Sequence, residues 1–297
     1  MLTPCVPPFS PEKTSMRLFD CPDDLKTLTT AVALLEAPSL TIRLANVVGT
    51  PVEWAMERLP GSSTEKIQKA IRLALHKAVA GALRTMDDAS VGAARLRTHT
   101  AMVAASGAIG GFFGLKGTLL ELPVTTTLIM RSVADIARSE GFAIRSPLVQ
   151  AECVQVFALG GRSPHDDAAD SAYYATRVGL SEIARETGRI LAESAAQHGA
   201  RATAQGIQFT PGQAAAWLAQ IIEAVAQRFG VKVTEKLALQ AAPVLGAASG
   251  AALNAMFISH YQDMARGHFI VKRLEAKYGP AVTREAYAQV QARLHKT

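Results

Sequence analysis

The stretch Thr98–Phe142, THTAMVAASGAIGGFFGLKGTLLELPVTTTLIMRSVADIARSEGF, decides the fold class of this chain. Its first half is rich in small and apolar residues, and its second half is a helix-like apolar pattern that contains Glu121 and Pro123. Strand-like alternation between turn residues is absent here and elsewhere in the sequence. The sequence therefore predicts an all-α fold, with this stretch as one of two central Gly/Ala-rich helical segments.

The second small-residue segment is Ala241–Ser259, AAPVLGAASGAALNAMFIS. In both segments glycines recur four residues apart, a spacing that lets two helix backbones approach each other closely. The predicted close-packing or membrane-contact residues are Gly107, Gly110, Gly111, Gly114, Gly246 and Gly250.

Neither segment fits a clean membrane-spanning helix, which needs about 20 consecutive apolar residues. The first segment meets Lys116 and then Glu121, and the second is rich in alanine and contains Asn254. Alanine gains little in hydrocarbon, and a polar side chain at mid-depth is costly. Two buried helices of a soluble core are favoured, and a shallow or re-entrant hairpin stays open as the alternative.

The chain is expected to form one multi-helix domain at residues 23–297, after a short, proline-rich, disordered leader at residues 1–22. Helix starts are predicted by capping boxes such as Thr210–Gln213, and helix ends by Gly141, Gly160, Gly230 and Gly279. The predicted helices are 23–36, 38–48, 51–59, 63–84, 87–115, 118–140, 147–159, 167–198, 211–229, 231–248, 250–278 and 281–295.

The composition of the chain limits the classes of function that it can have. The net charge of +6 over 297 residues is a weak indication of binding to an anionic membrane surface. The aromatic content of 6% argues against a surface on which nucleic-acid bases stack, so no nucleic-acid partner is expected. Three scattered cysteines predict neither a disulfide framework nor a metal site, and no cofactor is expected.

The N-terminal sequence is not a signal peptide. We expect a cytoplasmic protein that is not secreted and that can lie peripherally on the inner face of the membrane.

Several blocks of the sequence resemble the EcsC family. They are the Gly-rich run with Glu-Leu-Pro and threonines at residues 110–142, and the later blocks Ala151–Gly161, Ser171–Arg177 and Pro243–Gly279. The resemblance implies a helical architecture. It also implies a membrane-linked setting, because the family takes its name from a protein encoded beside the two components of an ABC exporter. It assigns no catalytic residue.

The helix after the first glycine run predicts a polar stripe. If this helix continues past Pro123, Glu121 and Asp135 share one face with Thr125 and Ser132 at about 100° per residue. The simpler explanation for Glu121 is a capping box with Thr118. The candidate polar network or ligand site comprises Glu121, Thr125, Arg131, Ser132, Asp135, Asn254, His260 and Asp263. A network that joins the two halves of the chain is favoured over a ligand site.

A basic amphipathic helix is predicted between the leader and the glycine-rich stretch. Ile67, Ile71 and Leu75 recur at four-residue spacing on one face. The candidate basic membrane surface is formed by Lys66, Lys69, Arg72, Lys77 and Arg84. An ordinary solvated face over a core stripe is the favoured interpretation of this pattern.

The function that the sequence favours is that of a membrane-associated, non-enzymatic helical protein. Its partner would be anionic lipid or an integral-membrane protein such as an ABC-type transporter. The alternative is a lipid or peptide hydrolase with a polar site around Glu121 and Asp135, and a soluble scaffold is a further alternative. No nucleophile motif is present, and His260, Asp263 and His268 spread over about 140° of a helix, too wide for three metal ligands. Catalytic residues therefore stay unknown, and no metal is expected.

Overall fold

The computed structural model describes residues 18–49, 51–57, 63–86, 94–112, 114–160, 171–197, 210–241 and 247–295. Within these ranges the chain is all-α and has no strand, as the sequence predicts. The helices are α1 (Pro22–Leu35), α2 (Leu40–Val48), α3 (Val52–Glu57), α4 (Ser63–Thr85), α5 (Leu96–Phe112), α6 (Gly114–Ser139), α7 (Pro147–Gln155), α8 (Ala172–Gln197), α9 (Pro211–Ala241), α10 (Ala247–Tyr278) and α11 (Pro280–Leu294).

The longest helix, α10, runs through the middle of the packing. It lies along α5 over most of that helix, and α6 packs against α5 on one side and α4 on the other. Helix α9 contacts α4, α7 and α8, and α1 covers α10 together with α11. The core between α9 and α10 is aromatic, with Phe229, Phe257 and Tyr261 almost wholly buried and in ring contact.

Several helix ends follow the local signals in the sequence. At the start of α9, Thr210 N–H donates to Gln213 Oε1 at 2.9 Å and Gln213 N–H donates to Thr210 Oγ1 at 3.3 Å, a reciprocal capping box. Gly141 and Gly279 follow α6 and α10 with φ of 90° and 91°, a conformation that only glycine adopts easily. The predicted boundaries at these three positions are confirmed.

The predicted break at Gly230 is wrong, because α9 is a single helix from Pro211 to Ala241. Gly230 is buried where α9 packs against α4, and a Cβ there would lie 2.4 Å from Nε2 of Gln68. Here glycine allows a close approach between two helices, which offsets its low helix propensity.

The predicted capping box of Thr118 with Glu121 is also wrong. Helix α6 begins at Gly114, so Glu121 lies inside the helix, and Pro123 lies inside it as well. The hydroxyl of Thr127 donates to the carbonyl of Pro123 at 2.7 Å. The helix therefore continues past Pro123, and this continuity places the polar stripe on one face.

The packed part of the chain includes the end of the predicted leader. Leu18 is fully buried, and Cys21, just before α1, is 7% exposed. Residues 1–17 lie outside the described part of the chain.

The capacity of the described helices to cross a bilayer can be judged from their length and composition. None of them is by itself both long and apolar enough to cross a bilayer. The pair Pro22–Leu35 and Leu40–Asn46, bent by 60° between its two halves, meets the criterion by length and composition alone.

Candidate functional site

The polar stripe of α6 faces neighbouring helices. The exposed fractions of Thr125, Ser132 and Asp135 are 2%, 0% and 4%. Glu121, one turn before Thr125, is half-buried. Because a buried polar group without a partner is costly, the partners of these side chains define what the stripe does.

Glu121 is the acceptor at the first end of the stripe. Its Oε1 accepts hydrogen bonds from the Thr125 hydroxyl at 2.7 Å and from Asn254 Nδ2 at 2.5 Å. The Ser106 hydroxyl of α5 lies 3.0 Å from the same oxygen. Asn254 Nδ2 also lies 3.1 Å from the carbonyl of Val103. The structure thus brings together three of the residues that the sequence nominates, namely Glu121, Thr125 and Asn254.

A lysine that sequence analysis missed completes this cluster. Lys236 of α9 is 3% exposed, and its ammonium group donates to Asn254 Oδ1. Burial lowers the pKa of Lys236 to about 8, against the opposing effect of the Glu121 carboxylate. The cluster joins four helices, α5, α6, α9 and α10.

The middle of the stripe is joined to α10 by Gln262, which sequence analysis also missed. Gln262 Nε2 donates to Ser132 Oγ at 2.9 Å and to the carbonyl of Leu96 at 3.2 Å. The Thr100 hydroxyl lies 3.3 Å from Gln262 Oε1. One amide side chain therefore ties the stripe to the first turn of α5.

Asp135 lies at the second end of the stripe and has several partners. Arg138 Nη2 donates to its Oδ1 at 2.5 Å, and the backbone N–H of Arg95 donates to its Oδ2 at 2.6 Å. His99 Nε2 lies 3.7 Å from Oδ2. Burial lowers the pKa of His99, while Asp135 acts in the opposite direction. Asp135 thereby fixes the start of α5.

Two nominated residues of α10 do not belong to this network. His260 packs against Gly160, and burial together with the charge of Lys232 holds its pKa well below the ordinary value. Asp263 is half-buried, and burial raises its pKa against the effect of Arg266. In the described chain no hydrogen bond or ion pair joins either residue to the stripe, because both lie on other sides of α10.

Arg131, the remaining nominated residue of α6, is half-buried. Its charge contributes to the low pKa of His99, which places it near the Asp135 end of the stripe. The carboxylate of Asp135 is paired with Arg138, one turn later in α6.

The nominated glycines fall on three helices. Gly107, Gly110 and Gly111 belong to α5, Gly114 opens α6, and Gly250 lies in the first turn of α10. Gly246 lies outside the described residues. The packing of α5 along α10 brings the two small-residue segments together as helices, and the role of the individual glycines stays a prediction.

The basic amphipathic helix is α4, and its two sides differ sharply. Ile67, Ile71 and Leu75 are fully buried, whereas Lys66, Lys69 and Lys77 are exposed. Arg72, at the edge of this face, pairs with Glu223 of α9 at 3.1 Å between Nε and Oε2. The side chain of Arg84 lies outside the described part.

A second polar cluster, which sequence analysis missed, lies between α7, α8 and α10. His268 is fully buried; its Nε2 lies 2.9 Å from Glu152 Oε2 and its Nδ1 lies 3.1 Å from the Tyr173 hydroxyl. Burial lowers the pKa of His268, so the ring is neutral near neutral pH. A neutral ring that donates from Nε2 to Glu152 accepts the Tyr173 proton at Nδ1.

Two ion pairs flank this cluster. Arg177 of α8 donates from Nη1 and Nη2 to the two carboxylate oxygens of Glu275, at 2.7 and 2.9 Å, and Lys272 Nζ lies 2.7 Å from Glu152 Oε1. Burial raises the pKa of Glu152, but His268 and Lys272 outweigh burial and hold it well below its ordinary range.

These groups line a cleft of about 680 Å³. Its walls come from five helices, α7, α8, α9, α10 and α11. Most of the remaining lining is apolar, including Leu148, Val178 and Trp217. The volume is in the range of small-molecule binding sites.

The chemistry of the cleft favours binding over proton transfer. Both of its carboxylates are paired with cations, and the low pKa of Glu152 leaves no proton to donate near neutral pH. Burial raises the pKa of the neighbouring Cys153 thiol far above its ordinary value, so it is not a nucleophile. One signal in the sequence could have located this site, because Glu152, Arg177 and Glu275 lie in three separate blocks that resemble the EcsC family.

No group of three or more His, Cys, Asp or Glu side chains that could hold a metal ion occurs in the described ranges. The sequence model of the EcsC protein family matches residues 37–274, which include both polar clusters and most of the cleft. Searches of curated proteins and of solved structures give no match.

Proposed function

Because the chain belongs to the EcsC protein family, and because one helix presents an exposed basic face, we propose that it is a non-enzymatic protein that binds anionic membrane surfaces peripherally. The observation that carries this proposal is the exposed side of α4. Lys66, Lys69 and Lys77 are exposed there together with Leu73, which is 51% exposed.

Positive charge outweighs negative charge on this face. Glu65, the only acidic residue of α4, is exposed and lies about 40° around the helix from Lys69. Arg72 is matched by Glu223, so the three lysines and Glu65 leave two positive charges in excess. A helix with lysines around an exposed leucine suits the boundary between lipid headgroups and acyl chains.

The expected binding is weak and sensitive to salt. Each lysine near an anionic bilayer contributes roughly 1 kcal/mol, and burial of an exposed leucine contributes roughly 1–2 kcal/mol. Because Glu65 opposes this attraction by roughly 1 kcal/mol, the total of roughly 3–4 kcal/mol corresponds to a dissociation constant of about 1–6 mM lipid. Stable attachment would then need a second contact, such as an integral-membrane partner.

Sedimentation with vesicles tests the proposal. We expect the full chain to pellet with vesicles of phosphatidylcholine and phosphatidylglycerol at low salt, and to stay in the supernatant with phosphatidylcholine alone or at high salt. Replacing Lys66, Lys69 and Lys77 with glutamine should abolish pelleting. The matched control replaces three exposed cations of other helices, Lys26, Arg97 and Arg266, with glutamine.

Two outcomes would contradict the proposal. One is complete recovery of the unaltered chain in the supernatant with anionic vesicles at low salt. The other is equal loss of binding in the two triple variants, because net charge alone and not the α4 face would then be responsible.

A further inference from the structure

We propose that the cleft between α7, α8 and α11 binds one uncharged, chain-like apolar molecule that carries an amide group. The amide would pair with Gln155, and the apolar chain would lie along α8 toward Trp217. This site is separate from the basic face of α4, because no described residue of α4 lines the cleft. It can therefore be tested without membranes, and its failure would leave the membrane proposal standing.

Gln155 brings an amide without a partner to the wall of the cleft. It is the last residue of α7, it lines the cleft, and only 8% of it is exposed. None of the described residues forms a hydrogen bond with its side chain, and its amide is not sealed inside the protein, so it opens onto the cleft. A largely buried amide without a hydrogen bond is costly, and a ligand in the cleft would satisfy it.

The side chain of Gln155 has both kinds of hydrogen-bonding group. Its NH₂ group donates, and its carbonyl oxygen accepts. An amide on the ligand offers one acceptor and at least one donor, so two parallel hydrogen bonds can join the two groups. An ester or an ether has no donor and would leave the carbonyl oxygen of Gln155 unsatisfied.

The charged groups of the cleft favour an uncharged ligand. Arg177 is paired with Glu275, and Lys272 is paired with Glu152. A charged ligand would compete with these pairs, and breaking a largely buried pair leaves a charge without its partner. Arg284, which also lines the cleft, is exposed, so water already solvates its charge. An uncharged ligand leaves both ion pairs intact.

One face of α8 gives the cleft its length. Tyr174, Val178, Ser181 and Ala184 line it at intervals of three or four residues, so they follow one side of the helix. The ten residues from Tyr174 to Ala184 span about 15 Å along the axis. The cleft is thus an elongated groove, which suits an extended chain better than a compact ligand.

The groove offers an apolar surface to such a chain. The ring of Trp217 lines it and is fixed by a hydrogen bond from its Nε1 to the carbonyl of Ala184 at 2.9 Å. Leu148 and Val178, which also line the groove, are 62% and 43% exposed. Large apolar side chains left exposed along a concave surface indicate a site that gains by being covered.

Fluorescence of Trp217 measures binding. The chain contains two tryptophans, so Trp54→Phe makes Trp217 the single reporter. The probes are a medium-chain fatty amide brominated in mid-chain, and the carboxylate and the hydrocarbon of the same brominated chain. Each is used near neutral pH, as dispersed single molecules and without vesicles. We expect saturable quenching by the amide, and about tenfold weaker binding of the other two probes, a factor that corresponds to one hydrogen bond.

Substitution of Gln155 tests the polar contact. Gln155→Leu should weaken amide binding about tenfold and bring it to the level of the hydrocarbon. Binding of the hydrocarbon should not weaken, which shows that the groove of this variant is intact. The matched control is Gln289→Leu, because Gln289 is exposed on α11 and does not line the cleft.

Substitution on α8 tests the path of the chain. Ser181→Phe, at an exposed position in the middle of the groove, should abolish saturable quenching by the amide and the hydrocarbon. Ile183→Phe is the matched control, because Ile183 is exposed on the same helix and does not line the cleft.

The possible failures have separate meanings. Absence of saturable quenching by the amide, or equal binding in Ser181→Phe and Ile183→Phe, would overturn the site. Binding of the carboxylate as tight as that of the amide would overturn the uncharged nature of the ligand. Equal amide binding in Gln155→Leu and Gln289→Leu would overturn the pairing with Gln155. Because vesicles are absent, none of these results bears on membrane binding through α4.

Discussion

At the scale of single residues, the stripe of α6 and its partner Asn254 were predictable, and the partners Lys236 and Gln262 were not. The regular 100° step of a helix places Glu121 and Asp135 on one side once the helix continues past Pro123. The partners Lys236 and Gln262 come from helices more than a hundred residues away, and no local pattern marks them. The sequence places His260 in the polar network, whereas the structure buries it away from the stripe. The sequence pattern does not separate these two cases, because a histidine on an apolar helix can be buried without joining a hydrogen-bond network.

Asp135→Asn tests whether the stripe is structural. Asparagine removes the counter-charge of Arg138 in a side-chain pair whose exposed fractions are only 12% and 6%. We expect the free energy of unfolding to fall by about 3 kcal/mol. Urea unfolding followed by circular dichroism measures this change.

The control for this prediction is Glu186→Gln. It removes the carboxylate of an equally spaced pair with Arg189, in which both side chains are more than half exposed. The expected change is below about 0.5 kcal/mol. If Asp135→Asn kept its stability and lost an activity instead, the hydrolase alternative would be favoured over a structural role.

At the scale of helices, glycine was an ambiguous predictor of where a helix ends. Gly141 and Gly279 end helices because their φ angles are positive, whereas Gly230 and Gly267 lie inside helices at points of close contact. The sequence around these glycines does not separate the two roles, because the contacting atoms belong to other helices. Boundaries with side-chain caps, such as Thr210, were predictable because both partners lie within one turn.

Gly267→Ala tests the close approach of α10 to α1. A Cβ at Gly267 would lie 2.6 Å from Cγ of Leu35 and 3.1 Å from the carbonyl oxygen of Ala31. Because a backbone atom and a branched carbon cannot both move away, we expect a loss of about 1–3 kcal/mol of unfolding free energy. Thermal unfolding is the measurement.

Gly212→Ala is the matched control, since Gly212 lies in the first turn of α9 and a Cβ there meets nothing within 4 Å. Alanine should raise stability at this position by up to about 1 kcal/mol. Equal effects of the two substitutions would show that α10 and α1 do not approach as closely as the structure indicates.

At the scale of the whole molecule, the all-α class follows from the sequence, but the cleft does not. Its lining comes from five helices, and only the assembled fold brings Glu152 within reach of His268, 116 residues later. The same assembly buries Lys232, whose ammonium group donates to the carbonyl of Leu159. Burial lowers the pKa of Lys232 to about 7, with Glu235 opposing and Arg228 adding to the effect.

This buried lysine predicts a dependence of global stability on pH. The pKa of Lys232 is about 7 in the folded chain against 10.5 in an unperturbed lysine. Between these values the unfolded chain binds more protons, so stability should rise with pH. From pH 7 to 9 we expect Lys232 to contribute an increase of about 1 kcal/mol per pH unit, and Lys236, whose pKa is about 8, adds to the rise above pH 8.

Unfolding of Lys232→Met across this pH range checks the assignment. The variant should be more stable than the parent chain at pH 7 and should show a flatter profile, because methionine has no charge to bury. Lys69→Met, on the exposed face of α4, should keep the parent profile. An unchanged slope in Lys232→Met would assign the pH dependence to other groups.

The hydrogen bond between Arg95 and Asp135 has a consequence for the order in which the chain is assembled. Arg95 cannot cap α5 with its own side chain in the way that serine or aspartate does, and its N–H is satisfied by a carboxylate 40 residues later. During synthesis, the start of α5 therefore has no partner until the end of α6 has emerged. We therefore expect helices α5 and α6 to be completed as one unit.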